Sequence, residues 1–142
     1  MPSESPTSTV TRFNAIQWHD SKLLGLSFRR VNSEDETAIS AELQTDRNAL
    51  EPARIVLLGC TYIELVVDLD GKRACADDIS SAACYMDSDW TRNLKQQNPH
   101  DNFDGYLHFR ITLIPPGGII NLLARDFEVV PDSESSNGKV HS

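Results

Sequence analysis

The chain has 142 residues, with 21 acidic and 13 basic side chains, a formal net charge of −8, and 39% hydrophobic residues. That is one domain of ordinary size and globular composition, and its acidity excludes a nucleic-acid binder of the usual basic kind. A membrane span needs about 20 mostly apolar residues, and Gly59, Glu64 and Asp68 interrupt the most apolar stretch, Ile55–Leu69.

Residues 1–11 are rich in Ser, Thr and Pro and read as a disordered tail. Leu24, Leu26 and Phe28 alternate with small or polar residues, which predicts a half-buried strand over about Lys22–Val31. Asn32–Glu36 reads as a turn, and Ile39, Ala41 and Leu43 predict an antiparallel partner over about Thr37–Gln44. Arg47–Ala53, with Pro52, reads as a connection. Over Arg54–Leu69 the odd positions Ile63, Leu65, Val67 and Leu69 share one face and Glu64 and Asp68 the other, with Gly59 marking a bulge or break. Asp70-Gly71 signals a tight turn. Residues 72–85 fit either period and are assigned as a short extended piece.

Ser88 is suited to cap a helix that ends near Gln97, before Asn98-Pro99, with Trp90 and Leu94 on one face. Leu107, Phe109, Ile111 and Leu113 then alternate with His108, Arg110 and Thr112. Pro115-Pro116-Gly117-Gly118 turns the chain, and Ile119–Val130 returns as a strand. Residues 131–142 read as a second disordered tail. The expected class is α+β: one domain over 12–130, mainly antiparallel sheet, with one short helix (about 88–97) and a C-terminal hairpin (about 106–130).

The acidity is local. Residues 64–104 hold nine acids and four bases, a net of −5. Such a segment attracts a cationic partner, or simply forms a solvated surface. Its Asp77, Asp78, Tyr85, Asp87, Asp89, Asp101 and Asp104 are the candidate partner-binding residues. Tyr85 and Trp90 lie beside Asp87 and Asp89 as anchors, although the pairing of Trp90 with Leu94 also suits a core position. Cys60, Cys75 and Cys84 cannot all pair, and the segment Met1–Pro6 carries no secretory signal, so reduced thiols in a cytoplasmic protein are expected.

Three motifs form a pattern: Trp18-His19-Asp20-Ser21 ahead of a strand, Gly59-Cys60 ahead of Ile63–Leu69, and Gly117-Gly118 followed by Ala124-Arg125-Asp126-Phe127. It resembles a loose group of small bacterial β-rich domains of uncharacterised function, over about residues 13–130. Some similar domains occur as immunity proteins beside polymorphic toxins. The resemblance implies a small bacterial interaction domain and supplies no catalytic residues.

His19, Asp20 and Ser21 hold the residue types of a hydrolase triad, but neighbours on extended backbone point apart and cannot converge. Local turn bonds from Asp20 and Ser21, with Trp18 as anchor, account for the segment. His19, His100 and His108 show no metal-ligand spacing with each other or the cysteines and read as surface residues; Asp68–Gly71 is only a fragment of a calcium loop. No metal or cofactor is expected. The leading reading is a non-enzymatic, possible immunity-type domain that binds a cationic protein. The alternative is a small hydrolase or ligand-binding protein with a site near His19 and Asp20. Homodimerisation through a sheet edge is a third.

Overall fold

The computed structural model describes residues 6–31, 34–44, 49–67, 78–114 and 118–131. In chain order its elements are α1 (Pro6–Asn14), β1 (Lys22–Val31), β2 (Glu34–Gln44), β3 (Leu50–Leu58), β4 (Tyr62–Val67), β5 (Ile79–Tyr85), α2 (Asp89–Gln97), β6 (Leu107–Leu113), β7 (Gly118–Ala124) and β8 (Asp126–Pro131). The strands form two antiparallel four-stranded sheets, ordered β1-β2-β3-β8 and β4-β7-β6-β5. The described residues are thus mainly β, with two helices among them rather than one.

Alternation decides what lies between the sheets. Leu107, Phe109, Ile111 and Leu113 of β6 and Ile120, Leu122 and Ala124 of β7 are buried with Ile39, Ala41, Ile55, Leu57 and Phe127 of the first sheet. Two inner faces packed in this way form one core. β6 and β7 make the expected hairpin, pairing from Leu107↔Ala124 to Leu113↔Gly118 across residues 115–117, which lie outside the described residues. The return strand does not run unbroken to Val130. It divides at Arg125, and β8 joins the other sheet.

The same division occurs at Gly59. There β3 leaves the first sheet and continues as β4 in the second, beside β7 and β8 travelling the opposite way. Arg125 N–H donates to Leu58 C=O at 2.9 Å and Thr61 N–H to Leu123 C=O at 2.9 Å, so the corner stays paired. Gly59 has φ +69°, a left-handed conformation that a side chain would strain. At the opposite edge Ile79 N–H donates to Ser21 C=O at 2.8 Å, and Lys22 Nζ meets Asp78 Oδ1 at 2.8 Å. This joins β1 to the start of β5.

Three segments differ from expectation. Glu34–Glu36, expected within a turn, already belong to β2 and pair with Arg29–Val31, so the hairpin is tighter than the polar run suggests. Residues 6–11 are helical, not a disordered tail. Pro6 occupies the first turn, where its missing N–H costs no bond, and the helix turns Thr9 and Phe13 into the core. Phe13 is fully buried, with ring centroids 4.8 Å from Trp18, 5.0 Å from Phe109 and 5.1 Å from Phe127. Pro52 lies in β3 rather than in a connection. It pairs with Glu42, while β8 pairs only from Ala53 onward, so the proline has a neighbour on one side alone. Residues 72–77 lie outside the described residues, and Ile79–Tyr85 is extended as expected. No described helix is long and apolar enough to cross a membrane.

Candidate functional site

α2 begins with a reciprocal cap. Ser88 Oγ accepts from Thr91 N–H at 3.2 Å, and Thr91 Oγ1 accepts from Ser88 N–H at 3.0 Å, satisfying two otherwise unpaired donors. Asp89 in the first turn complements the positive end of the helix. The first turn of the helix meets the outer face of the second sheet at His108. Across that face the register sets Tyr62, Leu123, His108 and Tyr85 in one row. Trp90 lies over His108 with ring centroids 4.5 Å apart, and Tyr85 flanks it at 5.4 Å.

His108 is the centre of a polar network. Asn121 Nδ2 donates to Glu64 Oε1 at 3.1 Å, which turns Asn121 Oδ1 toward His108 Nε2 at 2.7 Å. Nε2 therefore carries the proton. Nδ1 is left as an acceptor for the Ser88 hydroxyl at 2.8 Å. Arg110 Nε also donates to Asn121 Oδ1, at 3.1 Å. Burial pushes the His108 pKa down and the Arg110 charge adds to this, while the Asn121 bond and Glu64 oppose it. No buried side-chain nitrogen or oxygen among the described residues lacks a partner.

This corrects the expectation of a surface histidine: His108 is fully buried. The alternation had placed it on the outer face correctly, but α2 and Trp90 close over that face. Hydroxyl, imidazole and amide stand in the order that activates a nucleophilic serine. Here Ser88 also caps α2, and the imidazole is sealed from solvent. The arrangement latches the helix to the sheet. Trp90, in turn, is a half-buried cover on this outer face rather than a member of the core between the sheets.

The expected acidic residues fall into separate groups. Asp87 and Asp89 both pair with Arg92, the former at 2.7 Å. Asp101 accepts from the Tyr62 hydroxyl, a bond that pushes the phenol pKa up, and Tyr62 stacks on Phe103 with centroids 5.8 Å apart. Asp104 is exposed beside them, its N–H donating to Asn102 Oδ1 at 2.9 Å. Tyr85, Asp87 and Asp89 thus lie where α2 begins, and Asp101 and Asp104 lie beyond its end. Asp78 does not belong to this face. It is held by Lys22 at the far end of β5, about 20 Å from Tyr85 at roughly 3.3 Å per residue. Asp77 lies outside the described residues, as do Cys75, Asp68–Gly71 and Pro115–Gly117.

The sequence reading missed Ser88 and Asn121 as partners of His108, Glu64 as the partner of Asn121, and Tyr62, Met86 and Arg92 as neighbours of the acidic residues around α2. Only the helix-cap signature at Ser88 and the polar phase of Glu64 hinted at them.

His19 and Asp20 lie in the tight turn before β1. Asp20 has φ +73°, Ser21 Oγ donates to Gln17 C=O at 2.9 Å, and Gln44 N–H donates to Ser21 Oγ at 2.9 Å. Trp18 is buried, its Nε1–H donating to Phe13 C=O at 2.9 Å. His19 is exposed and donates from Nδ1 to Ser80 C=O at 3.2 Å, with Nε2 3.6 Å from Asp20 Oδ1. It borders an open groove of about 290 Å³ between this turn and β5. Burial raises the pKa of the Cys60 thiol. It pushes Cys84 up to about 12, with the charge of Asp126 adding, so neither sulfur is a thiolate nucleophile near neutral pH. Among the described residues no three His, Cys, Asp or Glu side chains gather as a metal site. Comparison with models of protein families, with curated proteins and with solved structures gives no match.

Proposed function

We propose that the chain is a non-enzymatic interaction domain that receives a basic protein on the acidic face around α2. The observation behind this reading is the set of exposed carboxylates beside both ends of one latched helix. Asp87 and Asp89 stand at one end and Asp101 and Asp104 at the other, with Tyr85 (37% exposed) and Met86 (55% exposed) alongside. A nine-residue helix is about 13 Å long at 1.5 Å per residue, so the two acidic pairs suit a partner segment carrying spaced Lys or Arg side chains. Arg92 holds Asp87 and Asp89 in place, and an incoming cation would compete with it for them. Tyr85 and Met86 supply the apolar contact that fixes such an encounter after charge has steered it. This suits the immunity-type role implied by the resemblance at Trp18–Ser21, in which the partner would be a cationic toxin.

The test is calorimetric titration with a lysine-rich peptide at low and high salt. Binding is expected to weaken with salt and to drop about tenfold in Asp87→Lys/Asp104→Lys. Glu51→Lys/Glu128→Lys, on the first sheet, is expected to leave it unchanged. Equal losses in both double variants, or binding indifferent to salt, overturn the assignment.

A further inference from the structure

β5 is an edge strand, and three clips occupy its outer side. Cys84 N–H donates to Asn14 Oδ1 at 2.8 Å, and Cys84 C=O accepts from Asn14 Nδ2 at 3.3 Å. Toward the other end Ile79 N–H donates to Ser21 C=O at 2.8 Å, and Ser80 C=O accepts from His19 Nδ1 at 3.2 Å. Cys84 therefore turns both backbone groups away from β6. In an antiparallel ladder that orientation repeats every second residue, so Ala82, paired with Ile111, turns its N–H and C=O outward as well. No side chain or backbone group of the described residues bonds them there. Ala82 instead lines an open groove of about 290 Å³ beside His19, whose sides include Ile16, Gln17 and Trp18.

We propose that this groove is a binding site for a small carboxamide, whose C=O and N–H pair with the outward N–H and C=O of Ala82. The protein itself shows the fit: two residues along the same edge, the Asn14 carboxamide makes this donor–acceptor pair with Cys84. A carboxylate offers two acceptors and would leave Ala82 C=O facing a like dipole. A guanidinium or ammonium offers only donors and would leave the N–H unpaired. The amide is therefore favoured over its charged isosteres by the one backbone hydrogen bond that each of them fails to make, a modest preference at a site open to water. The groove is shallow and opens to solvent, and its volume of about 290 Å³ admits one ring bearing one amide, with one face of the ring left in water. Ile16 and Trp18 supply apolar wall for the ring, and exposed Gln17 and His19 stand at the mouth. The flanking clips exclude a long added strand, because Asn14 and His19 already occupy the positions on either side.

The decisive experiment is an NMR titration of the full chain with benzamide, benzoate and N,N-dimethylbenzamide. Benzamide is expected to shift the amide signals of Ala82 and Ser81, to slow hydrogen exchange at Ala82, and to bind about threefold to tenfold more tightly than the other two. Gln17→Trp, at the exposed mouth, should abolish these shifts while the spectrum elsewhere stays that of the folded protein. If that variant does not fold, the ranking of the three probes in the unmodified chain still decides. Equal affinity for benzoate, shifts remote from β5, or no shift with benzamide each overturn the proposal. Asp87→Lys/Asp104→Lys should leave benzamide binding intact, so failure here and failure of the acidic-face reading are told apart.

Discussion

α1 and α2 are equal in length, nine residues each, yet their innermost contacts differ: an aromatic ring in α1, with polar ties from Arg12 and Asn14 around it, and a polar line in α2. α1 is fixed by an apolar plug. Phe13 enters a socket of Trp18, Phe109 and Phe127, and at the helix surface Arg12 pairs with Asp126 at 2.8 Å and lies over the Phe127 ring at 4.6 Å. α2 turns only Thr91 fully inward and is fixed by a hydrogen-bonded line from Ser88 through His108 and Asn121 to Glu64. An apolar plug responds to volume and is indifferent to protons. A polar latch responds to the loss of any one partner, because each buried group left behind is then unpaired.

Three perturbations separate the two anchors. Phe13→Ala removes the plug and should cost about 3–5 kcal/mol in urea unfolding, the usual range for a buried aromatic truncated to alanine; a loss below about 1 kcal/mol would refute the socket. Asn121→Leu leaves His108 Nε2–H buried without its acceptor and should cost about 1–3 kcal/mol. Protection of the α2 amides from hydrogen exchange should fall with it, while that of α1 stays.

The smallest effect is that of pH. The folded His108 pKa lies below the unfolded value of about 6.5, so the unfolded state takes up the proton first. The stability held by neutral His108 is fully present above that value and is lost as pH falls through the folded pKa. Thermal midpoints of the wild type and His108→Gln should therefore converge on acidification. Parallel curves would show that the latch does not titrate.

The legible parts were those whose signal is local. Leu107–Leu113 announces its inner face by alternation, Ser88 announces a helix start, and Gly59 announces a break. The corner at Gly59 was not legible as a change of sheet, because Arg125 and Leu123, which complete it, lie more than 60 residues on. α1 was missed because a Thr-rich segment with one large apolar residue has little periodicity of its own. The burial of His108 was missed because polar residues on an outer face look solvated until a helix from elsewhere in the chain covers them. The acidic face was legible as composition, but its membership was not. Asp78 is claimed by a lysine 56 residues away.

The socket for Phe13 also sets an order of events. The residues that receive α1 lie far along the chain: Cys84 is 70 residues from Asn14, and Asp126 is 114 residues from Arg12. Closing contacts over such separations is slow, and a nine-residue segment does not hold a helix unaided. α1 is therefore expected to be seated late, after the distant strands that receive it have paired. Trp18, 4.8 Å from Phe13, sits beside that final step, so its fluorescence reports completed assembly and not the first collapse of the sheets.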